Sequence, residues 1–115
     1  MTTESIHQPA VHATFEAERC YRVPVARVFA AFRDPELRMQ WNSPSDEVTV
    51  RSVSADFTVG GRNIEVCLVE DQEVARVETR YLDIVENQRL LFSESISDPS
   101  GFLGASLVTV EFVEV

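Results

Sequence analysis

The sequence predicts a single α+β domain, an antiparallel sheet that carries two short helices near its N-terminal end. Two observations lead to this class. Segments of alternating apolar and polar residues recur along most of the chain with turn signals between them, which is typical of an antiparallel meander. After the first such segment the apolar spacing changes to three and four residues, which indicates helices. We expect residues 1–12 to be a disordered N-terminal segment and residues 13–115 to form the domain.

The first predicted strand is "ATFEAERCYRV", residues 13–23. Its apolar face includes Phe15 and Tyr21, but Arg19 interrupts that face. A buried guanidinium must be paired, because an unpaired buried charge is very costly. Arg19 would therefore hold a carboxylate-bearing ligand, pair with a strand acid such as Glu78, or extend to the rim of the sheet.

Two short helices are predicted next. Pro24 starts the first, and its apolar stripe at positions i, i+3, i+4 and i+7 consists of Val25, Val28, Phe29 and Phe32. Asp34 is a good cap for a second helix that begins at Pro35, and Leu37 and Trp41 share one face of it.

The remaining sequence predicts five strands, in the segments "EVTVRSV", "ADFTVGGRNIEVCLVE", "VARVETRYLDIV", "QRLLFSESIS" and "FLGASLVTVEFVEV". The pair Gly60-Gly61 predicts a bulge or a sharp bend in the second of these segments. The sequences "DQE", "EN" and "DPSG" are the predicted turns.

Composition excludes several functions. All ten basic residues are Arg, so neither a Schiff-base lysine nor a P-loop is available. A net charge of −9 argues against nucleic-acid binding, and no apolar run is long enough to span a membrane. Acids are interleaved with the arginines of the N-terminal third, which predicts a solvated face formed by Arg19, Arg22, Arg27, Arg33 and Arg38.

No catalytic, metal or cofactor site is predicted. His7 and His12 are the only histidines, and a zinc site needs three or four close ligands. Cys20 and Cys67 are far apart and predict buried free thiols in a reducing compartment. The N-terminal sequence lacks the pattern of a signal peptide, so we expect a cytoplasmic protein.

Four stretches of the chain carry a resemblance to a known family: "FEAERCYRVPVARVFAAFRDPELRMQW", "DFTVGG", "TRYLDIVENQRLLFS" and "SLVTVEFVEV". Through them the chain resembles the activator of heat-shock protein 90 ATPase homologue-like family, within the START-like/polyketide-cyclase-like (SRPBCC) superfamily. The resemblance implies a helix-grip fold, a curved antiparallel sheet with two short helices after strand 1. Family members add a final strand and a long C-terminal helix, and we expect both to be missing here, so that the domain is truncated at its C-terminal end.

The resemblance also implies an internal cavity for a small apolar molecule, lipid-like or aromatic. The candidate lining residues are Arg19, Tyr21, Phe29, Phe32, Trp41, Phe57, Tyr81 and Phe92. The aromatic residues among them would also suit an ordinary core. A non-enzymatic binding protein is the favoured interpretation. The alternatives are a cyclase- or hydrolase-like enzyme of the same superfamily and a chaperone-interacting module.

Two short helices cannot cover the apolar face of so many strands. We therefore expect a homodimer, formed through the uncovered sheet or through the C-terminal edge strand. An exchanged element or a detergent-like ligand would be another cover. The segment "SLVTVEFVEV" suits edge pairing, because only Glu111 and Glu114 interrupt its apolar character.

Overall fold

The structure is a computed structural model that describes residues 11–115. It contains two helices, α1 (Val25–Arg33) and α2 (Pro35–Trp41). Five strands follow: β1 (Thr49–Ala55), β2 (Arg62–Val69), β3 (Gln72–Val85), β4 (Arg89–Asp98) and β5 (Gly101–Glu111). They form one antiparallel sheet in the order β1-β2-β3-β4-β5. The predicted α+β class and meander are confirmed.

The predicted first strand is not formed, and that prediction was wrong. Residues 11–24 contain no strand and are exposed, with Phe15 88% and Tyr21 60% accessible. An alternating pattern becomes a strand only where a neighbouring strand accepts and donates the backbone hydrogen bonds. In the described chain, none of β1 to β5 pairs with this segment. The predicted disordered residues 1–12 lie almost wholly outside the described range.

Asp34 separates the two helices as the sequence predicts. Its backbone is extended, as expected for a residue before proline, and this ends α1. Its backbone N–H donates to the Ala30 carbonyl at 2.8 Å, and its side chain accepts from the Glu36 N–H at 3.0 Å. One residue therefore closes the first helix and caps the second.

The turns follow from residues that accept unusual backbone angles. Glu70 and Asp71, at φ 52° and 64°, join β2 to β3 in a two-residue hairpin. At the β4–β5 turn, the Asp98 carboxylate accepts hydrogen bonds from the backbone N–H groups of Ser100 and Gly101. The predicted turn at "DPSG" is confirmed. The first turn begins one residue earlier than the predicted "DQE", because Gln72 and Glu73 already belong to β3.

The Gly60-Gly61 pair forms the predicted bend between β1 and β2. The Gly60 N–H donates to the Tyr81 carbonyl at 2.7 Å, and the Tyr81 N–H donates to the Gly61 carbonyl at 3.1 Å. Gly60 has φ 85°, which favours glycine. A Cβ on Gly61 would overlap the carbonyl oxygen of Asp56. This loop is thereby fixed against β3.

The core lies where α1 meets the sheet. Phe29 is 2% exposed and Leu90 is 1% exposed. The Phe29 ring makes edge contacts with Phe57 and Phe112, at centroid distances of 5.8 and 5.3 Å. Phe57 in turn contacts Tyr81 at 4.9 Å. These rings link the helix, the glycine loop and the end of β5 in one cluster.

Apolar side chains of β5 stay largely exposed, in agreement with the expectation of an uncovered apolar surface. Phe102, Leu103 and Leu107 are 60 to 71% accessible. Residues 112–115 form neither a strand nor a helix. No helix within residues 11–115 is long and apolar enough to cross a membrane.

Both cysteines are free, but only one is shielded from solvent. Cys20 is exposed, so its predicted burial was wrong, because the strand that would have buried it does not form. Cys67 is half-buried in β2. Burial raises the pKa of its thiol, and the nearby Glu65 carboxylate raises that pKa further. Cys67 is therefore expected to be an unreactive thiol.

Candidate ligand site

A cavity of about 180 Å³ lies between the helices and one face of the sheet. Its apolar wall consists of Phe32, Trp41, Tyr81, Leu90 and Phe92. Its polar lining consists of Arg38, Asn42, Asn63, Glu65, Thr79 and Glu94. The cavity thus combines an aromatic wall with polar groups, and small-molecule sites commonly contain both.

Strand register brings the sheet residues of the cavity together. Thr79 pairs with Asn63 on one side and with Glu94 on the other, so these three side chains form a row across β2, β3 and β4. Tyr81 pairs with Phe92 one step along the same face. The cavity floor is therefore built from alternate residues of three neighbouring strands.

Arg38 makes hydrogen bonds through all three of its guanidinium nitrogens, two of them to the cavity floor and one to α1. Nε donates to Glu65 Oε2 at 2.7 Å, Nη1 to the Phe32 carbonyl at 2.7 Å, and Nη2 to Asn63 Oδ1 at 2.9 Å. The second Glu65 oxygen accepts from Asn42 Nδ2 at 2.8 Å. Arg38 and Glu65 are both buried, and these hydrogen bonds satisfy the buried charges.

The burial of Arg38 corrects the sequence analysis, which placed this residue on a solvated arginine face. The sequence contains little that predicts the burial of Arg38. Glu65 alternates with Ile64 and Val66, a pattern that normally indicates a polar side chain facing water. Two opposite charges that face each other across a helix–sheet interface leave no signal in either segment alone. Only the packing of α2 on β2 brings Arg38 and Glu65 together.

Two further titratable groups line the cavity. Burial raises the pKa of Tyr81, with Arg38 lowering it and Glu65 raising it by smaller amounts. Burial also raises the pKa of Glu94, and the Glu65 carboxylate adds to the increase. No side chain in residues 11–115 forms a hydrogen bond or ion pair with the Glu94 carboxylate. The cavity thus holds one carboxyl group whose charge is uncompensated.

The structure brings together four of the eight residues proposed from the sequence, namely Phe32, Trp41, Tyr81 and Phe92. Phe29 and Phe57 belong to the adjoining aromatic core instead. Sequence reasoning did not identify the polar lining, of which Arg38, Glu65 and Glu94 carry charge.

Arg19 and Tyr21 lie outside the cavity. Arg19 is exposed, and its Nη1 donates to the neighbouring Glu18 carbonyl at 2.9 Å. The suggested pair with Glu78 is not formed, because Glu78 binds Arg62 at 2.9 Å. Both residues were placed at the site through the first strand, which is absent from the described fold.

Metal-binding side chains do not gather anywhere in the described residues. Within 11–115, no group of three or more His, Cys, Asp or Glu side chains lies close enough to hold an ion. Of the two histidines, His7 lies outside the described range and His12 lies in the exposed N-terminal segment.

Comparison with known proteins gave matches among solved structures, whereas no curated protein matches the chain. The Mll3558 protein from Rhizobium loti is 35% identical, with a TM-score of 0.77 over 90% of this chain and 73% of that one. A protein from Rhizobium leguminosarum is 29% identical, with a TM-score of 0.72 over 84% of this chain and 64% of that one.

Protein CV1439 from Chromobacterium violaceum shares the fold at 24% identity, with a TM-score of 0.73 over 84% of this chain and 66% of that one. The chain therefore spans about two-thirds to three-quarters of the length of these three structures. These matches confirm the helix-grip-like fold that the sequence resemblance implied.

A family model described as "Activator of Hsp90 ATPase homolog 1-like protein" matches residues 22–115. This range includes both helices, all five strands and every residue that lines the cavity. The chain belongs to the family of Activator of Hsp90 ATPase homolog 1-like proteins.

Proposed function

We propose that this chain binds a small apolar molecule in the cavity between the helices and the sheet. The observation that carries the proposal is the aromatic wall around a space of about 180 Å³. Apolar surface that a ligand covers is removed from water, which favours binding. The volume of about 180 Å³ suits a molecule with one or two rings.

The wall of the cavity is held in place by its own contacts. Phe32 meets Trp41 edge to face at 5.3 Å, and Tyr81 meets Phe92 at 6.1 Å. The Arg38 hydrogen bonds fix α2 against β2. A site that is ordered before binding loses less conformational freedom when a ligand arrives, which favours affinity.

Trp41 is the only tryptophan of the chain and lines the cavity, so its fluorescence reports on occupancy. The neutral two-ring dye 2-naphthol should quench Trp41 on binding. Phe92→Ala should weaken dye binding about tenfold, because it removes part of the aromatic wall. Phe102→Ala is the matched control, since Phe102 is exposed on β5 away from this cavity.

The two variants separate the possible outcomes. Equal dye affinity in wild type and Phe92→Ala, together with a loss in Phe102→Ala, would place the dye on the exposed surface of β5 and contradict the proposal. Native mass spectrometry of the gently purified protein gives an independent measurement, because a co-purified apolar molecule should appear as an added mass.

An enzyme of the cyclase or hydrolase type is the second candidate. The observation in its favour is Glu94, a carboxyl group in the cavity with a raised pKa, which is a property of general acids and bases. Against it, no serine, cysteine or histidine is among the described residues that line this cavity. Turnover that depends on Glu94, with dye affinity unchanged in Glu94→Gln, would favour the enzyme.

We also propose that copies of the chain associate through the outer edge of β5. Within residues 11–115, β5 is paired only with β4, so its other edge is free. Leu103 and Leu107 on this strand are exposed. Free strand edges with apolar side chains favour pairing with another chain. A chaperone, which the family description suggests as a partner, is the alternative occupant of the same surface.

A cytoplasmic location is part of the proposal. It is supported by the two thiols of Cys20 and Cys67, which are not joined in a disulfide. Unpaired cysteines are common where the environment is reducing.

A further inference from the structure

Three charged side chains line the aromatic cavity, and two of them are already paired. Arg38 uses all three guanidinium nitrogens in hydrogen bonds to protein oxygens. Glu65 accepts from Arg38 at one oxygen and from Asn42 at the other. The charges of this pair cancel, and each guanidinium nitrogen and each carboxylate oxygen already makes one hydrogen bond. Glu94 is the third charged side chain, and its carboxylate has no side-chain partner among residues 11–115.

Glu94 also lies at the junction of two spaces. It lines the aromatic cavity and, in addition, a more open cavity of about 300 Å³ that lies against the paired strands β4 and β5. The second cavity is lined by backbone and side chains that carry no charge apart from Glu94, including Ile96, Leu103 and Ala105. Glu94 is the one described residue that lines both cavities.

We propose that the ligand of this site joins an apolar or aromatic body to a protonated amine, and that Glu94 binds the amine. The inference rests on the proposed binding function and specifies the class of ligand. A carboxylate without a protein donor gains a charge-assisted hydrogen bond from an ammonium group. The faces of Trp41, Tyr81 and Phe92 add cation–π attraction for a charge beside them.

An anionic ligand does not suit the same lining. Arg38 is the only basic residue among the residues described around the cavity. Its charge is already paired with Glu65, and three of the five N–H groups of its guanidinium donate to protein oxygens. Two carboxylates, Glu65 and Glu94, would repel a second anion. A neutral ligand would fill the apolar space but leave the Glu94 charge uncompensated.

The preference for an amine should depend on pH. Glu94 shares the cavity with Glu65 on β2, Tyr81 on β3 and Arg38 on α2, and burial, together with the Glu65 carboxylate, raises its pKa above the ordinary glutamate value. As pH rises through its raised pKa, Glu94 gains charge while an aliphatic amine stays protonated. The affinity for the amine should therefore rise across this range, and that for a neutral analogue should not.

A matched series of probes tests the inference: 2-phenylethylamine, 2-phenylethanol and 3-phenylpropionate, each followed by quenching of Trp41. Slightly above neutral pH we expect the amine to bind about tenfold more tightly than the alcohol, and the carboxylate to bind most weakly. Glu94→Gln should retain alcohol binding and lose the preference for the amine. Glu111→Gln, the same change on an exposed residue of β5, should retain the preference.

The outcomes separate the two proposals. Equal affinity for amine and alcohol, or tightest binding of the carboxylate, would overturn the amine inference and leave the binding function standing. If none of the three probes binds, both proposals fail. Should Glu94→Gln not fold, the pH series on the wild-type chain decides, because an amine-to-alcohol affinity ratio that does not change with pH would overturn the inference.

Discussion

Arg38 and Glu65 form the strongest polar link between the helices and the sheet. Their ion pair measures 2.7 Å and both side chains are buried. Arg38→Met would leave Glu65 charged and buried without its partner, which should lower the free energy of unfolding by about 3–5 kcal/mol. Urea unfolding followed by Trp41 fluorescence measures this loss.

Arg62→Met provides the matched control for Arg38→Met. Arg62 pairs with Glu78 at 2.9 Å, but both side chains are 41 to 51% exposed. Water screens such a pair, so its loss should cost about 1 kcal/mol or less. The structure indicates that the Arg38–Glu65 pair is shielded from water. A similar loss of unfolding free energy in the two variants would contradict that.

Glu94 should make the folded chain less stable as pH rises. Burial and Glu65 raise its pKa above the ordinary glutamate value, so the native state binds more protons than the unfolded state between those two values. The contribution of Glu94 to the free energy of unfolding is fully present below the ordinary glutamate pKa. It is lost as pH rises through the raised pKa of the folded chain.

Glu94→Gln should remove this loss. The melting temperature of Glu94→Gln, relative to that of the wild type, should therefore rise as pH increases from the ordinary glutamate pKa through the raised one. Thermal unfolding across that range is the measurement, with Glu111→Gln as the exposed control. Parallel curves for wild type and Glu94→Gln would show that Glu94 has the same pKa in the folded and unfolded chain.

At the scale of elements, the loop between β1 and β2 positions one side of the core. Gly61 is packed so closely against Asp56 and Thr58 that an added Cβ would overlap both residues. Gly61→Ala should therefore destabilise the chain by about 1–3 kcal/mol, because the loop must move away from Tyr81. Gly104→Ala is the control, since a Cβ there meets no atom within 4 Å.

The loop prediction has a second readout at the site. Phe57 in this loop contacts the Tyr81 ring at 4.9 Å, and Tyr81 lines the cavity. A shift of the loop should therefore weaken dye binding as well as stability in Gly61→Ala. If Gly61→Ala and Gly104→Ala melt at the same temperature, the loop is free to relax and its close packing is not a constraint.

For the whole molecule, the free edge of β5 predicts self-association. Leu107→Lys places a charge on that edge and should weaken the dimer at least about tenfold. Val53→Lys is the matched control, because β1 forms the opposite edge of the sheet and Val53 is also exposed. Sedimentation at micromolar concentration measures the change. A wild-type chain that sediments as a clean monomer would contradict the association.

Local sequence patterns were sufficient to predict most of the helices, strands and turns. Pro24, the Asp34-Pro35 pair, the Gly60-Gly61 pair and the turn at Asp98 each act on their own few residues, and the structure has the expected element at each. Alternation likewise located β1 to β5. The residues from Ala13 to Val23 alternate just as clearly, yet they form no strand in the described chain. A strand forms only beside another strand, and that partner can lie far away in the sequence. Alternation alone therefore does not determine whether a segment becomes a strand.

The sequence by itself determined the α+β class, the two helices, the five-strand meander and the family, because these depend on local propensity and on motifs at fixed spacing. It also supplied the aromatic residues Phe32, Trp41, Tyr81 and Phe92. Only the tertiary structure decided which groups share the cavity with them. Arg38, Glu65 and Glu94 lie on three different elements, and their burial, their pairing and the uncompensated charge arise from the packing of α2 on the sheet and from strand register.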